Sequence, residues 1–177
     1  MTRLFASVCL AALIAMPASA ALKNGVDAPD FKAQASMAGK QFEFVLAEAM
    51  KKGPVVLYFY PAAFTPGCTI EAHMFADAMV DFEKLNATVI GVSRDDIKTL
   101  DRFSLTECRS KFPVAADGSG RITRSYDAAM RGVPEYSDRV SYVLADGKVI
   151  YNYTSGDPTH HVENTMNAIK QYKTAGK

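Results

Sequence analysis

The sequence has little excess charge of either sign. Its 20 lysine and arginine residues face 19 aspartate and glutamate residues, which gives a formal net charge of +1 at pH 7. Proteins that bind nucleic acid or an anionic membrane by charge carry a clear basic excess or basic clusters. We therefore expect neither nucleic acid nor a membrane as a partner, and no repeat or low-complexity tract indicates an extended binding array.

Long apolar runs are scarce, and the one at the N-terminus is short. Residues 1–20, MTRLFASVCLAALIAMPASA, combine a basic residue at Arg3, an apolar run and a small-residue end. This pattern is typical of a secretory signal peptide cut after Ala20, and the run is shorter than the ~20 apolar residues of a membrane span. We therefore expect an exported, periplasmic protein whose residues 21–177 form a single domain.

Cysteine is also scarce, with three residues in the chain. Cys9 would leave with the signal peptide, so Cys68 and Cys108 remain. In an oxidising compartment two cysteines most often form one structural disulfide, which is one alternative for this pair. A Cys-x-x-Cys thiol–disulfide oxidoreductase is excluded, because Thr65 and Glu71 stand three residues on either side of Cys68.

Histidine is equally rare. His73 is remote in sequence from His160 and His161, and adjacent side chains point in different directions on a helix. The spacing does not resemble a metal-ligand set, so we expect surface histidines and no metal.

Apolar runs rich in β-forming residues predict three buried strands. The runs lie at 55–60, at 87–93 and, more briefly, at 113–116. Two further apolar arms flank Asp146-Gly147, a dipeptide typical of a tight hairpin turn.

Helical spacing of apolar residues separates these strands. Phe75, Met79 and Phe82 mark a helix after the first strand, and a capping box at Ser93 and Asp96 predicts a second helix to about residue 109. A last helix follows 157–158. The alternation predicts an α/β domain with the thioredoxin-like order: a central mixed sheet with helices on both faces.

Cys68 stands where the first predicted strand gives way to its helix. Thr65 suits the N-cap and Pro66 suits the first helical position, which places Cys68 third in the helix. Free backbone N–H groups and the positive end of the helix dipole favour a thiolate there. Cysteines in first turns can also be inert, so this geometry alone leaves the function of Cys68 open.

The residues around Cys68 form a known signature. Pro61, Thr65 and Cys68 match the Pro-x-x-x-Thr-x-x-Cys pattern of the peroxiredoxins, and Glu71 follows at the family's spacing. Downstream, RVSYVLADGKV is similar to the family's strand that begins with an arginine, here Arg139. The resemblance covers nearly all of residues 26–177. The motif Thr-Pro-Gly-Cys-Thr is most similar to that of the Q-type branch, also called the bacterioferritin comigratory proteins.

The resemblance implies a thiol peroxidase that needs no cofactor. Cys68 would reduce hydrogen peroxide or an organic hydroperoxide and become a sulfenic acid. Thr65 would hydrogen-bond the peroxide and Arg139 would stabilise the thiolate and the transition state. Pro61 would shield the sulfur and Glu71 would orient Arg139. These four residues also have structural alternatives. Thr65 could be a plain N-cap and Arg139 a solvated strand arginine. Pro61 could simply end a strand, and Glu71 could be an acid that favours a helix N-terminus.

In the second step of the cycle the sulfenic acid must be removed, and the sequence leaves alternatives for this step. Many Q-type relatives carry a resolving cysteine five residues after the first, where this chain has His73. Cys108 resembles a resolving cysteine placed on the next helix, although its helical face favours burial. The alternatives are a one-cysteine cycle, or a non-enzymatic binding module with a structural disulfide. The resemblance also implies a thioredoxin-like reductant and a monomer or small homo-oligomer.

Overall fold

A computed structural model describes residues 21–176, which contain one seven-stranded mixed sheet. The predicted signal peptide, residues 1–20, lies outside the described residues. The strands are β1 (Lys32–Met37), β2 (Lys40–Val45), β3 (Val55–Phe59), β4 (Thr88–Ser93), β5 (Val114–Ala116), β6 (Val140–Ala145) and β7 (Lys148–Thr154). The helices are α1 (Leu46–Met50), α2 (Pro66–Lys84), α3 (Ile97–Thr106), α4 (Arg121–Ser125) and α5 (His161–Ala175), with a 3-10 turn at Pro158–His160.

The apolar run predicted as the central strand is β3, and every one of its residues is buried. It pairs in parallel with β4 on one side and antiparallel with β6 on the other, within the order β2-β1-β5-β4-β3-β6-β7. A strand buried on both faces needs no polar alternation, which is why its sequence is continuously apolar. The parallel pair places the carboxyl ends of β3 and β4 at one edge, where α2 begins.

Helices cover both faces of the sheet, as predicted. Alternate residues of β3 point to opposite faces, so Val55 and Leu57 join one apolar cluster while Val56 and Tyr58 join the other. The first cluster packs beneath α1 and α4, and the second beneath α2, α3 and α5. The hairpin predicted at Asp146-Gly147 is the β6–β7 turn, with a register shift between Val143 and Leu144.

The start of α3 differs from the prediction. Ser93 ends β4, and the N-cap is Asp96, whose carboxylate accepts the N–H groups of Lys98 and Thr99. Ser93 instead donates its hydroxyl to Asp95 at 2.8 Å. The predicted capping box fails because Asp96, three residues after the end of the strand, caps the first turn itself.

Four elements were not predicted from the sequence. The hairpin of β1 and β2 lies at the edge of the sheet, and the two short helices, α1 in the N-terminal third and α4 after β5, have five residues each. Strand β2 is mostly exposed, so its apolar pattern is weak, and helices this short leave little periodicity to detect. Across residues 21–176 no helix is both long enough and apolar enough to span a bilayer.

Gly91 on β4 provides a test of packing beneath α2. A Cβ atom at this position would lie 2.7 Å from the ring of Tyr58, which is held by stacking on Phe75 at 4.5 Å. We predict that Gly91→Ala lowers the free energy of unfolding by about 1–3 kcal/mol, because the ring has no room to retreat. Urea unfolding measures this.

The matched control for that test is Gly118→Ala. A Cβ atom at Gly118 would meet nothing within 4 Å, so its midpoint of unfolding should stay near that of the unmodified chain. Equal stability of the two variants would contradict the packing described for Tyr58.

Candidate active site

Cys68 lies in the first turn of α2, at the third helical position that the sequence predicts. Pro66 begins the helix, and Thr65 is the N-cap residue with extended backbone angles, φ −75° and ψ 150°. The first backbone bond of the helix runs from the Thr69 N–H to the Thr65 carbonyl at 2.9 Å. The N–H groups of Gly67 and Cys68 precede this ladder, so they are directed toward the helix terminus where an anion is stabilised.

Thr65 occupies the N-cap position but does not cap with its side chain. Its hydroxyl donates to the Ala62 carbonyl at 2.9 Å, within the loop that joins β3 to α2. The same loop is held by Asp95, whose carboxylate accepts the Ala63 N–H at 2.8 Å. The oxygen of Thr65 keeps its lone pairs for a ligand, and Pro61 lies half-buried at the end of the strand.

Arg139 immediately precedes β6 and reaches across the sheet edge to Cys68. Its Nη2 lies 3.5 Å from the Cys68 sulfur, and its Nε donates to the Gly156 carbonyl at 3.2 Å. Only 6% of the residue is exposed, so the alternative of a solvated strand arginine is wrong. Gly67 permits the approach, because a Cβ atom there would lie 3.0 Å from Nη2.

Glu71 is fully buried one turn along α2 and forms a salt bridge with Arg139 through Oε2. Its other oxygen, Oε1, has no hydrogen-bond partner among the described residues. Burial raises the pKa of Glu71 to about 8, although Arg139 acts in the opposite direction. Glu71 is therefore part of a buried cluster rather than a solvated acid near a helix terminus.

His161 was predicted at the surface, and that prediction is wrong. The residue is fully buried at the first position of α5, with Nδ1 2.8 Å from the Ser141 hydroxyl and 3.6 Å from Glu71 Oε1. The sequence held a signal for this burial. His161, Thr165 and Ile169 follow one another at a spacing of four residues and share one buried helix face. Histidine is polar, so a search for apolar residues at helical spacing does not include it.

The other two histidines differ from His161. The side chain of His160 is 60% exposed. His73 lies 2.8 Å from the Glu107 carboxylate and joins α2 to the end of α3. Among residues 21–176 no group of three or more His, Cys, Asp or Glu side chains is arranged to hold a metal ion.

Cys108 is buried, as its predicted helical face indicated, but it lies two residues beyond the end of α3 rather than within it. Its N–H donates to the Phe103 carbonyl, and its sulfur belongs to the same apolar cluster as Cys68. Both cysteines are free thiols. Burial, aided by the charge of Glu107, raises the pKa of Cys108 far above its usual range, which keeps this sulfur a thiol.

The site therefore combines a cysteine at a helix N-terminus, a buried guanidinium on its sulfur and a threonine oxygen nearby. A fixed positive charge in a water-poor site stabilises a thiolate and any oxyanion that departs from it. Two tyrosine hydroxyls without hydrogen-bond partners, Tyr58 and Tyr60, lie in the same cluster as both sulfurs. This arrangement suits nucleophilic attack by sulfur on a small electrophile.

Comparison with known proteins agrees with this chemistry. Residues 24–152 match the model of the AhpC/TSA family. The chloroplastic peroxiredoxin Q of Populus jackii is 30% identical over 164 residues, which cover 89% of this chain and 76% of that protein. The peroxiredoxin Bcp of Xanthomonas campestris pv. campestris is 31% identical over 124 residues, covering 67% of this chain and 77% of the relative.

The fold is shared with solved structures as well. The crystal structure of peroxidoxin BcpB from Mycobacterium tuberculosis superposes with a TM-score of 0.77 at 27% identity, covering 85% of this chain and 97% of that one. The family match, the relatives and the thioredoxin-like fold agree with one another. The chain belongs to the AhpC/TSA family and is a peroxiredoxin, a thiol-dependent peroxidase.

Proposed function

We propose that Cys68 is the peroxide-reducing thiol of this enzyme, acting on hydrogen peroxide and organic hydroperoxides. The observation that carries the proposal is the 3.5 Å contact of Arg139 Nη2 with a sulfur in the first turn of α2. Helix terminus and guanidinium act on the same atom, and both favour the thiolate. Cys108 has neither partner and is a buried thiol, so it is not the residue that meets peroxide.

In the first step the Cys68 thiolate attacks the nearer peroxide oxygen and the O–O bond breaks. Sulfur becomes a sulfenic acid, and the departing alkoxide or hydroxide takes a proton to leave as alcohol or water. The Thr65 oxygen accepts the peroxide O–H, since its own proton is donated to Ala62. Arg139 donates to the oxygens as charge moves away from sulfur, which is its role in the transition state.

Glu71 and Pro61 support this step without reacting. The hydrogen bond that Glu71 Oε2 accepts from Arg139 fixes the guanidinium plane, and the Gly156 carbonyl holds its other edge. Pro61 lies half-buried beside the loop of Thr65 and limits the access of water and bulk thiols to the sulfur.

We further propose that Cys108 resolves the sulfenic acid. Its thiolate attacks the Cys68 sulfur, the S–O bond breaks as the disulfide forms, and the departing hydroxide takes up a proton, equivalent to the one that Cys108 lost, and leaves as water. In the described conformation Cys108 is buried and protonated, so it must first leave the apolar cluster. The following residues favour such an opening: Arg109 and Ser110 both adopt left-handed angles, φ 49° and 57°, which are costly for residues with a Cβ atom.

A one-cysteine cycle is the second candidate, and the complete burial of Cys108 favours it. In that cycle an external thiol attacks the sulfenic acid directly, and Cys108 serves as a small apolar residue beside Phe103. The two cycles differ in one product, a Cys68–Cys108 disulfide.

The protein that reduces the disulfide, the cellular location and the oligomeric state complete the proposal. A disulfide formed outside the cytoplasm needs a dedicated donor, since the reducing glutathione pool is absent there. We propose a thioredoxin-like donor, export through the N-terminal signal peptide to the periplasm, and a monomer or small homo-oligomer.

The mass of the oxidised protein distinguishes a two-cysteine cycle from a one-cysteine cycle. After one equivalent of hydrogen peroxide, the reduced chain should lose two hydrogens as the disulfide forms. Cys108→Ser should instead gain one oxygen, which a sulfenic-acid trap captures, and Cys68→Ser should not react within seconds. Intact-mass spectrometry with and without the trap measures all three.

The outcomes separate the two cycles. A trapped oxygen adduct on the unmodified chain, with no disulfide, would establish the one-cysteine cycle and reject Cys108 as the resolving residue. Undiminished reaction of Cys68→Ser would reject Cys68 as the peroxide-reducing thiol.

The forked geometry of the Arg139 guanidinium can be tested separately from its charge. Arg139→Lys keeps the positive charge but cannot donate to Cys68, Glu71 and Gly156 together, because an ammonium lacks the planar fork. We expect the rate constant of Cys68 oxidation by hydrogen peroxide to fall by about 10²–10³-fold. Stopped-flow measurement at pH 7 tests this.

The control for that variant is Arg121→Lys, at an exposed residue that begins α4. Its rate should match that of the unmodified chain. A reduction of less than threefold in Arg139→Lys would show that charge alone, without the forked geometry, supports the reaction.

A further inference from the structure

Behind the Arg139–Glu71 pair lies a buried imidazole that the proposed peroxide chemistry does not use. His161 opens α5 with no exposed surface, and the Tyr153 ring lies against it with ring centroids 4.8 Å apart. Its Nδ1 lies 2.8 Å from the Ser141 hydroxyl and its Nε2 lies 3.1 Å from the Ser155 carbonyl. Strand β6, strand β7 and the loop after β7 therefore hold this ring in one orientation.

These contacts determine the protonation of the ring. A carbonyl oxygen only accepts, so Nε2 of His161 carries the proton that is donated to Ser155. Burial lowers the pKa of His161 to about 4, so the ring is neutral at pH 7. Nδ1 is then a hydrogen-bond acceptor with one lone pair, which the rotatable hydroxyl of Ser141 can fill.

The same lone pair also faces the unpartnered oxygen of Glu71, so the Ser141 hydroxyl must rotate away from Nδ1 when Glu71 donates to it. Oε1 of Glu71 lies 3.6 Å from Nδ1 and is buried, while Oε2 accepts from Arg139. Two acceptors facing each other in a dry site repel one another. A proton on Oε1 converts the pair into donor and acceptor, and an approach of about half an ångström brings them within hydrogen-bond distance.

We propose that His161 is a positioning residue of this peroxiredoxin, whose Nδ1 holds Glu71 as a neutral carboxylic acid so that the positive charge of Arg139 acts on the Cys68 sulfur. The inference rests on the proposed role of Cys68. As a carboxylate, Glu71 would neutralise the charge that the thiolate needs. As an acid, it still accepts from Arg139 through Oε2 and orients the guanidinium without cancelling its charge.

The surroundings of the pair agree with this assignment. The charged and titratable groups that face Glu71 or His161 are Arg139, Tyr58, Tyr153, Asp157 and His160. Arg139 favours the carboxylate, and burial opposes it more strongly, which raises the pKa of Glu71 to about 8. Asp157 favours a charged His161, but burial outweighs it. The proton therefore resides on Glu71 rather than on the ring.

The test compares His161→Leu with His161→Asn. Leucine removes the acceptor, whereas asparagine places Oδ1 at the same number of bonds from the backbone as Nδ1. The readouts are the rate of Cys68 oxidation by hydrogen peroxide and the alkylation of Cys68 by iodoacetamide, followed on its own peptide between pH 6 and 9. His160→Leu, at the exposed neighbour, is the matched control.

We expect a loss that depends on pH. Without its acceptor, Glu71 ionises at a pH lower by about one unit, so its neutral fraction at pH 7 falls from about nine-tenths to about one-half and His161→Leu should react about twofold more slowly there. The loss should be largest near pH 8, at about three- to fivefold, and should vanish at pH 6, where Glu71 is neutral in both proteins. His161→Asn and His160→Leu should follow the unmodified chain at every pH.

Glu71→Gln completes the test. Glutamine keeps a carbonyl for Arg139 and donates an amide hydrogen to Nδ1, so it imitates the neutral acid at every pH. Glu71→Gln removes the titration of residue 71, so adding His161→Leu to it should not change the shape of the pH profile, whatever its own rate. A rate reduced equally at all pH values in His161→Leu, or a change in the shape of the profile when His161→Leu is added to Glu71→Gln, would overturn the proposal.

Failure of the proposed function would give a different result. If the unmodified chain did not consume peroxide while Cys68 alkylation still shifted with pH in His161→Leu, the coupling would hold and the peroxidase role of Cys68 would fall. If peroxide were consumed with identical pH profiles in all variants, the role of Cys68 would hold and that of His161 would fall.

Discussion

The site depends on one buried guanidinium. Arg139 donates to the Cys68 sulfur, to Glu71 and to the carbonyl of Gly156, which belong to two parts of the chain far apart in sequence. A charge placed at 6% exposure is tolerated only when its donors are satisfied. The hydrogen bonds that satisfy Arg139 therefore also bring the site together, because its acceptors are the Cys68 sulfur, the Glu71 carboxyl group and the Gly156 carbonyl.

The apolar surroundings increase the effect of that charge. Tyr58 stacks on Phe75 at 4.5 Å, and Tyr60 stacks on Phe103 at 5.5 Å, beneath the first turns of α2 and beside α3. Rings of this size exclude water, and the weaker screening strengthens the attraction between guanidinium and thiolate. The same exclusion raises the pKa of Glu71, so one packing arrangement acts on both neighbours of Arg139.

The two cysteines differ in the charged groups that surround their sulfur atoms. Cys68 and Cys108 are equally buried in one apolar cluster, yet only Cys68 has a helix N-terminus and a cation. Cys108 lies past the end of α3, beside the carboxylate of Glu107 that is paired with His73. Burial without a positive partner keeps a sulfur protonated, whereas burial with one favours its ionisation.

The sequence predicts the central strands, the position of Cys68 in α2 and the family signature, because these depend on local periodicity, capping residues and short-range spacing. It could not locate His161 against Glu71, since the two are ninety positions apart and meet only when α5 packs on α2. It also placed the cap of α3 at Ser93 rather than Asp96, because serine and aspartate are both residue types that cap helices. Tertiary structure decided which polar side chains are buried, and burial sets the protonation of Glu71, Cys108 and His161.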